Sequence, residues 1–508
     1  MTAQVDAGTF PSGLRLKLIT IALILAPLIQ VFDTALLSVA LRQMQGSLSA
    51  TQDQMAWVLT SYLIALAVMT PFWGAISSIF GRKPLLLLSI AGFIIFSMLS
   101  GTSSTLSEIL IYRFCQGVFG AALIPLSQSA LLSVYKREDF SIAMSWWGVG
   151  IMFGPVFGPT LGGYLTEYFN WRWVFYLNLP LGLIAFSMIA LLVPRQRNTL
   201  KRSFNYLGFC TLAITVASVQ FVLDRGERMD WFSSPTIIIL TLAAAGALWV
   251  FIVNSATSRT PFVDPAIFRN RFYVLGIVLR ILFGVFLFSS LVLVPPFLQN
   301  QGGYPIIDSG VIMASRGAGA MFAATFTGHM LKYIDPRKVI LFGMALSAYS
   351  MWEFSNFTQD INLDLALANN FAQGMALSFF IIPVNTVAFT SLPSEQRDAG
   401  TSFYSLLNNI GRTLGIALFA SYLARNTQAT HEILSAQITP FNNALRHVGL
   451  PEVWNLDTLA GLQAVNRMVT GQAELIAYII DFRLLAAIIV ICMPVVFLLQ
   501  NPLHQAKT

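Results

Sequence analysis

Two charged side chains lie inside long apolar stretches of the sequence. Asp33 falls in the stretch 18–41, and Arg113 falls in the stretch 106–134. An ionisable group in the middle of a bilayer costs about 2.5–3.5 kcal/mol on insertion scales, so such residues are rare and usually functional. With about 1.5 Å of rise per helical residue, both side chains would lie about 10–12 Å below the same membrane face. We therefore expect Asp33 and Arg113 to pair.

Such a pair is suited to reversible protonation. Burial favours the neutral carboxylic acid, whereas a neighbouring guanidinium favours the carboxylate. A carboxyl group whose surroundings change between conformations can couple proton flow to transport. We predict that Asp33 carries the proton and that Arg113 tunes it. The alternative is a permanent ion pair that only supports packing.

Membrane-spanning helices must position these side chains. Of the 508 residues, 56% are hydrophobic and only 10% are charged, and the mean hydropathy is +0.69. A span needs about 20 apolar residues. Fourteen spans are predicted, at 18–41, 55–79, 85–103, 106–134, 141–167, 172–193, 205–223, 235–256, 271–300, 307–333, 338–357, 364–391, 399–426 and 476–499. The chain is therefore predicted to be an all-α polytopic membrane protein.

The basic residues of the connecting segments indicate the orientation. Seventeen Lys and Arg residues fall on the side of the two termini, and six fall on the other side. The positive-inside rule places both termini in the cytoplasm. The net charge of +7 therefore reflects topology, and we expect no nucleic-acid partner. The three cysteines fall inside spans and indicate neither a disulfide nor a metal site.

A stripe of small residues runs along the fifth predicted span. It consists of Gly150, Gly154, Gly158 and Gly162, with Pro155, Pro159 and Gly163 beside it. In a water-soluble helix each interior glycine costs about 1 kcal/mol and each proline about 3 kcal/mol. In a bilayer, small residues let two helices approach closely. We predict a buried, bent helix that lets the two halves of the protein close tightly; the alternative is a static packing surface.

A faint repeat divides the chain. A glycine-then-basic turn, formed by Gly74, Gly81, Arg82 and Lys83, follows the second span, and a similar turn from Gly328 to Lys338 follows the tenth. Repeated units are typical of secondary transporters, although basic turns also occur wherever loops face the cytoplasm. The predicted parts are a tail at 1–17, a six-helix bundle at 18–200, two additional helices at 201–260, a second bundle at 261–500 and a tail at 501–508. The second bundle includes a polar outward-facing loop at 427–475.

An ordered series of motifs resembles those of the major facilitator superfamily, and within it the fourteen-span drug:proton antiporters of the EmrB/QacA type. The matching stretches are Phe32-Asp33-Thr34, Gly74 to Lys83, Tyr112-Arg113-Phe114 with Gln116-Gly117, Gly148 to Gly163, Trp171 to Pro180, Leu223 to Gly226, and Asp481-Phe482. The resemblance covers nearly the whole chain. It implies two six-helix bundles with two extra central helices. The family's loop motif usually has an aspartate where this chain has Ser78, so no charge-based latch is expected from that position.

Further polar residues inside the spans are candidates for the substrate cavity. They are Gln116, Gln220, Asn385, Arg316 and Arg412. Arg280, Arg316 and Arg412 are expected to face a wet cavity, where an anionic substrate is one alternative. Asp224 and Asp481 lie near the outer boundary and are expected to cap helices or to pair with Arg225 and Arg483. Abundant Phe, Tyr, Trp and Met suit a bulky amphipathic cargo.

These observations predict proton-coupled efflux of hydrophobic or amphipathic compounds across the cell inner membrane, driven by the proton gradient without a cofactor. The resemblance implies a periplasmic adaptor and an outer-membrane channel as partners, with the loop 427–475 as a docking surface; a tolerated insertion is the alternative. The second function to weigh is a siderophore or fatty-acid exporter, or an uncoupled facilitator. A membrane-embedded enzyme is a remote alternative, because the only sizeable loop lacks a catalytic cluster.

Overall fold

Fourteen long helices form the protein in the computed structural model, which describes residues 11–194, 204–357, 361–438 and 458–499. The first seven are α1 (Gly13–Ser47), α2 (Gln52–Phe80), α3 (Arg82–Thr102), α4 (Leu106–Gly120, continued by Leu123–Val134), α5 (Phe140–Tyr168), α6 (Asn178–Leu192) and α7 (Tyr206–Arg225). The others are α8 (Pro235–Thr257), α9 (Arg271–Asn300), α10 (Ile306–Met330), α11 (Pro336–Phe354), α12 (Leu363–Thr390), α13 (Arg397–Ser435) and α14 (Leu459–Cys492). Each predicted span corresponds to one helix, which confirms the all-α polytopic fold.

Length and hydropathy explain why these segments are helices. Eleven helices among the described residues are long and apolar enough to cross a membrane. In lipid, a helix satisfies its backbone polar groups internally. The three helices that miss this criterion, α10, α11 and α13, pack among neighbours in the second half of the chain. Local signals set some boundaries: Thr51 and Thr105 form capping boxes at the starts of α2 and α4.

Helix contacts divide the spans into two bundles. In the N-terminal bundle, α1 packs on α5 and α6, and α4 packs on α2 and α3. In the C-terminal bundle, α12 packs on α10 and α11, and α13 packs on α9 and α14. The bundles meet where α5 packs on α10 and where α2 packs on α13. The helices α7 and α8 pack on each other, and α7 also contacts α2 and α13 at the edge of this boundary.

Helices extend beyond the predicted spans in two places. Within the polar outward-facing segment 427–475, α13 continues to Ser435 and α14 begins at Leu459. Polar residues fit a helix when one of its faces is solvated and the other packs on a partner, as α13 and α14 do. Residues 439–457 of that segment lie outside the described residues. At the N-terminus α1 begins at Gly13, before the predicted end of the 1–17 tail.

Candidate functional site

Asp33 on α1 and Arg113 on α4 form a fully buried ion pair. Arg113 Nη1 donates to Asp33 Oδ2 at 2.7 Å, and both side chains are 0% exposed. Gln116, one turn further along α4, donates from Nε2 to Asp33 Oδ1 at 3.1 Å and accepts from Arg113 Nη1 at 2.7 Å. Three residues predicted separately, two as a proton site and one as a cavity residue, therefore form one polar cluster.

A second helix supplies a contact that the sequence did not single out. Asn178, the first residue of α6, donates to Asp33 Oδ1 at 2.7 Å and to Ser97 Oγ at 2.9 Å. Ser97 on α3 in turn donates to the carbonyl of Phe175 at 2.9 Å. The only local signal was an amide side chain in a matched motif. Three helices thus meet at one carboxylate, and α3 is linked to it through Asn178, so a change in its charge is felt across the N-terminal bundle.

Aromatic rings close the cluster on the side of Arg113. Its guanidinium carbon lies 4.4 Å from the centre of the Tyr62 ring and 5.6 Å from that of Phe175. Its Nε and Nη2 atoms have no hydrogen-bond partner among the described residues. The charge of Arg113 is therefore balanced by Asp33 and by two π faces, with donors left over. The buried positive charge of Arg113 is therefore compensated only while Asp33 carries its negative charge.

The glycine stripe of α5 faces α1, the helix that carries Asp33. A Cβ added at Gly154 would lie 2.6 Å from Val31 Cγ1, and one at Gly158 would overlap Ala35. Gly150 and Gly162 also lie close to α1, whereas Gly163 has open space around its Cα. The expected close helix packing is present. Its partner differs from the prediction, because the stripe joins two helices of one bundle and not the two bundles.

The rest of α5 departs from the expectation of a buried helix. Phe153, Pro155 and Phe157, which flank the stripe, are exposed. The contact with the other bundle includes Val156, which packs closely on Gly317 of α10, and Ser141, which donates to the carbonyl of Gly328. Pro159 lies within the continuous helix α5. The spacing of the glycines predicts a helix face suited to close packing, but it does not identify the helix that packs against that face.

The basic loops lie at one end of the protein, here called the basic end. At this end the two bundles contact each other through charged side chains. Arg82 Nε lies 2.5 Å from Asp398 Oδ1 at the start of α13, and Ser129 also donates to this oxygen. Lys332 Nζ donates to Asp139 Oδ1 at 2.8 Å. The sequence predicted no charge-based latch from Ser78, and Ser78 indeed donates to the carbonyl of Ala75. A latch is present nevertheless, with its carboxylate on the opposite bundle.

The other residues of the loop motif support this end. Gly81 has a φ of +88° and makes the one-residue turn between α2 and α3, which favours glycine. Gly74 lies so close to Ser402 of α13 that a Cβ would overlap it. Lys83 Nζ donates to the carbonyls of Ala190 and Val193. The motif therefore holds α2, α3 and α6 together and lets α13 approach α2.

The remaining cavity candidates are dispersed. Gln220 on α7 donates to Thr413 Oγ1 at 2.6 Å, and Asn385 on α12 accepts from the Tyr404 hydroxyl at 2.8 Å. Both amides are buried, and these bonds place them at helix contacts away from the Asp33 cluster. Arg316 and Arg412 lie on α10 and α13 in the C-terminal bundle. Of the five candidates, only Gln116 therefore contacts the proton site directly.

The two acidic residues near the outer boundary, Asp224 and Asp481, have different hydrogen-bond and ion-pair partners. Asp224 lies 3.5 Å from Arg225 Nε, as expected, and also accepts from Thr60 Oγ1 at 2.6 Å. Asp481 is 0% exposed and, among the described residues, accepts only a long hydrogen bond of 3.5 Å from Asn426. Its Oδ2 has no partner there. The expected pairing of Asp481 with Arg483 is absent, since residues two apart on a helix do not face each other.

The sequence of this chain is similar to those of known membrane transporters. The family model of the Major Facilitator Superfamily matches residues 23–415. The chain is 30% identical over 493 residues to the multidrug export protein EmrB of Escherichia coli (strain K12), covering 96% of each chain. It is 28% identical to the fatty acid resistance protein FarB of Neisseria gonorrhoeae, covering 97% of this chain and 98% of that protein.

A solved structure has the same fold. The human organic anion transporter MFSD10 superposes with a TM-score of 0.56 at 14% sequence identity, covering 93% of this chain and all of the other chain. At this identity the likeness concerns the fold alone.

Proposed function

Because this chain belongs to the Major Facilitator Superfamily, we propose that it is a drug:proton antiporter that exports hydrophobic or amphipathic toxic compounds. Its similarity to proteins named for multidrug export supports the direction and the broad cargo class. The main support for proton coupling of transport is the buried Asp33–Arg113 pair, which is surrounded by Gln116 and Asn178. The site is a carboxylate held by groups from separate helices.

The proposed coupling follows from what a proton does to Asp33. As a carboxylate, Asp33 accepts bonds from Arg113, Gln116 and Asn178. As a neutral acid it loses most of its attraction for Arg113, whose buried charge then has no counter-ion. Arg113 must seek another partner or water, and α1 moves relative to α4. Since α1 and α5 are packed together along the glycine stripe, they move as one unit.

Alternating access then requires the basic end to open and close. The Arg82–Asp398 and Lys332–Asp139 pairs must separate when it opens. By the excess of basic residues we assign this end to the cytoplasm and both termini to the same side. A location in the cell inner membrane follows from the proposed role as one part of a pump that spans two membranes.

The partners in that pump would be a periplasmic adaptor and an outer-membrane channel. The extensions of α13 and α14 beyond the spans are the proposed docking region, because they lie on the side opposite the basic end. In these extensions Nε2 of His431 lies 3.0 Å from Oδ1 of Asn466, and Ile433 and Leu462 are exposed. Copurification of an adaptor with the full chain and with a deletion of 429–469 tests docking; unchanged capture would contradict it.

Export of one specific metabolite is the second candidate function. It is favoured by the similarity to a protein named for fatty acid resistance. A transport panel decides between the two: a broad exporter moves chemically unrelated amphiphiles, whereas a metabolite exporter moves one class. An uncoupled facilitator would equilibrate substrate without a proton gradient.

Proton release by the detergent-solubilised protein tests the antiport proposal. Addition of a transported substrate should release protons from the wild type in weakly buffered solution. Asp33→Asn should abolish this release, because the variant carries no exchangeable proton at the site. Asp230→Asn is the control: it also removes one carboxylate, but an exposed one on the connection between α7 and α8, where the left-handed backbone conformation tolerates Asn. Release that persists in Asp33→Asn would refute the assignment.

A further inference from the structure

Asp481 on α14 is a buried carboxyl group that the proposed mechanism does not use. It is 0% exposed and accepts one hydrogen bond, of 3.5 Å, from Asn426 of α13, while its Oδ2 has no partner among the described residues. Asp33, by contrast, accepts three hydrogen bonds of 3.1 Å or less, one of them from a cation. The site of Asp481 is therefore not built to hold a negative charge.

No cation neutralises Asp481 from its own helix or from α13. Among the described residues, Asp481 belongs to no ion pair. Arg483, two residues further along α14, is exposed. Arg425, next to Asn426 on α13, is also exposed and lies within electrostatic range of Glu227 on the α7–α8 connection. Neither arginine therefore acts as the counter-ion of Asp481.

The helices α11 and α9 also pack on α14, and within the described part of the chain they bring no cation to Asp481 either. On α11, the ring of Phe354 stacks on that of Phe482 at 5.3 Å, and the charged residue beside Phe354 is an acid, Glu353. The last turns of α9 contact Phe482, whereas its two charged residues, Arg271 and Arg280, lie in the first half of the helix. Because a carboxylate is costly to bury without a cation, the site favours a neutral acid, which carries a proton.

A line of polar side chains on α14 connects Asp481 with the outer side, opposite the basic end. Counted from Leu498, where the span ends, Asp481 lies about 26 Å into a hydrocarbon core about 30 Å thick. Glu474, Tyr478 and Asp481 share one face of the helix because they are spaced by four and three residues. Tyr478 lies within electrostatic range of both acids. Glu474, about 10 Å further out, is half-buried and accepts from Gln301 Nε2 at 3.2 Å.

The helix α13 joins Asp481 to the latch at the basic end. Asn426, which donates to Asp481, and Asp398, which pairs with Arg82, belong to this one continuous helix. An ionised Asp481 would favour separation of α13 from α14, because water could then reach the carboxylate. A displacement of α13 would in turn disturb the Arg82–Asp398 pair. The protonation of Asp481 is therefore linked to closure of the basic end.

We propose that Asp481 is a proton-binding site, filled from the outer side, that controls how α13 packs on α14. This inference rests on the proposed export function and adds a site through which acidity on the outer side acts on the transporter. The proton passes from the outer water, past Glu474 and Tyr478, to Oδ2 of Asp481, and it leaves by the same path. It is distinct from the proton carried by Asp33 in the other bundle. With Asp481 neutral the latch stays closed, and with Asp481 ionised α13 moves and the latch opens.

Infrared difference spectra of the full chain in nanodiscs measure the protonation of Asp481 directly. The spectrum of the wild type minus that of Asp481→Asn should show the C=O band of a neutral carboxylic acid in weakly acidic buffer. In alkaline buffer carboxylate bands should replace it. Asp230→Asn, which removes an exposed acid, should give carboxylate bands in both buffers. A signal from Asp481 that is the same in both buffers, whichever form it shows, would overturn the inference.

The distance between the basic ends of the two bundles tests the link through α13. Spin labels are attached at Phe80→Cys and Tyr333→Cys, two exposed positions at the ends of α2 and α10, in a chain whose three native cysteines are replaced by Ser. Without substrate or a proton gradient, alkaline buffer should raise the population with the longer distance about threefold or more. Asp481→Asn should remove most of this rise, and Asp481→Glu should restore it.

Two outcomes of the distance measurement would overturn the inference. One is the absence of any rise in the wild type. The other is an equal rise in Asp481→Asn, which would assign the effect to another titratable group, such as His431, which contacts Asn466 in the outer extensions.

Substrate-driven proton release separates this inference from the proposed function. Asp481→Asn should still release protons when a transported substrate is added, because Asp33 is intact. No release from the wild type would refute the antiport function. It would leave the Asp481 site standing, because neither the infrared nor the spin-label measurement uses a substrate.

Discussion

Removing the charge of Asp33 should destabilise the protein, and removing the charge of Arg113 as well should restore much of the loss. In Asp33→Asn the guanidinium of Arg113 stays fully buried without its counter-ion. Breaking a buried pair by deleting one partner costs about 3–5 kcal/mol, whereas replacing both partners is often nearly neutral. The double variant Asp33→Asn/Arg113→Gln should therefore be more stable than Asp33→Asn.

The structure sets the magnitude of this coupling. The bonded atoms are 2.7 Å apart, so the centres of charge are about 4 Å apart, and at an effective dielectric constant of about 20 their attraction is about 4 kcal/mol. Gln116 and Asn178 can still donate to the amide oxygen that replaces the carboxylate, which reduces the loss. We expect Asp33→Asn to lower the free energy of unfolding by about 3 kcal/mol and the double variant to recover about 2 kcal/mol of it.

Unfolding by SDS titration of the four proteins of this cycle measures the coupling energy. Transport assayed in parallel should be lost in both Asp33→Asn and the double variant, since neither has the protonatable group. The double variant should therefore regain stability but not transport. Strictly additive effects of the two substitutions would refute the claim that this pair is energetically coupled, and full transport by the double variant would refute its role in coupling.

Three further outcomes are expected. Exchanging the latch charges, as Arg82→Asp with Asp398→Arg, should restore the closed basic end that either single change loosens; labelling of cysteines placed at that end measures this. Gly158→Leu should abolish transport because no side chain fits between α5 and α1, whereas Gly163→Ala, which meets open space, should leave transport unchanged. Asp481→Asn should leave the midpoint of thermal unfolding unchanged or raise it, because this buried carboxyl has no cation beside it among the described residues. A fall of more than about 2 °C, roughly 2 kcal/mol for a chain of this length, would contradict this expectation.

Properties that depend on neighbouring residues in the chain could be read from the sequence. Hydropathy located the fourteen helices, and eleven of them are long and apolar enough to cross a membrane among the described residues. Helical periodicity found the close face formed by Gly154 and Gly158, since residues four apart share a face. Depth along two spans predicted that Asp33 and Arg113 could meet, because rise per residue is constant in a helix.

Tertiary structure alone decided which surfaces meet. Asn178 reaches Asp33 because α6 packs on α1, and Arg82 meets Asp398, 316 residues away, because α13 lies against α2. It also decided that the glycine face is filled by α1, and that three arginines of one bundle have no acid beside them among the described residues. Such pairings carry no local signature, because a side chain's hydropathy and spacing are the same whichever helix lies opposite it.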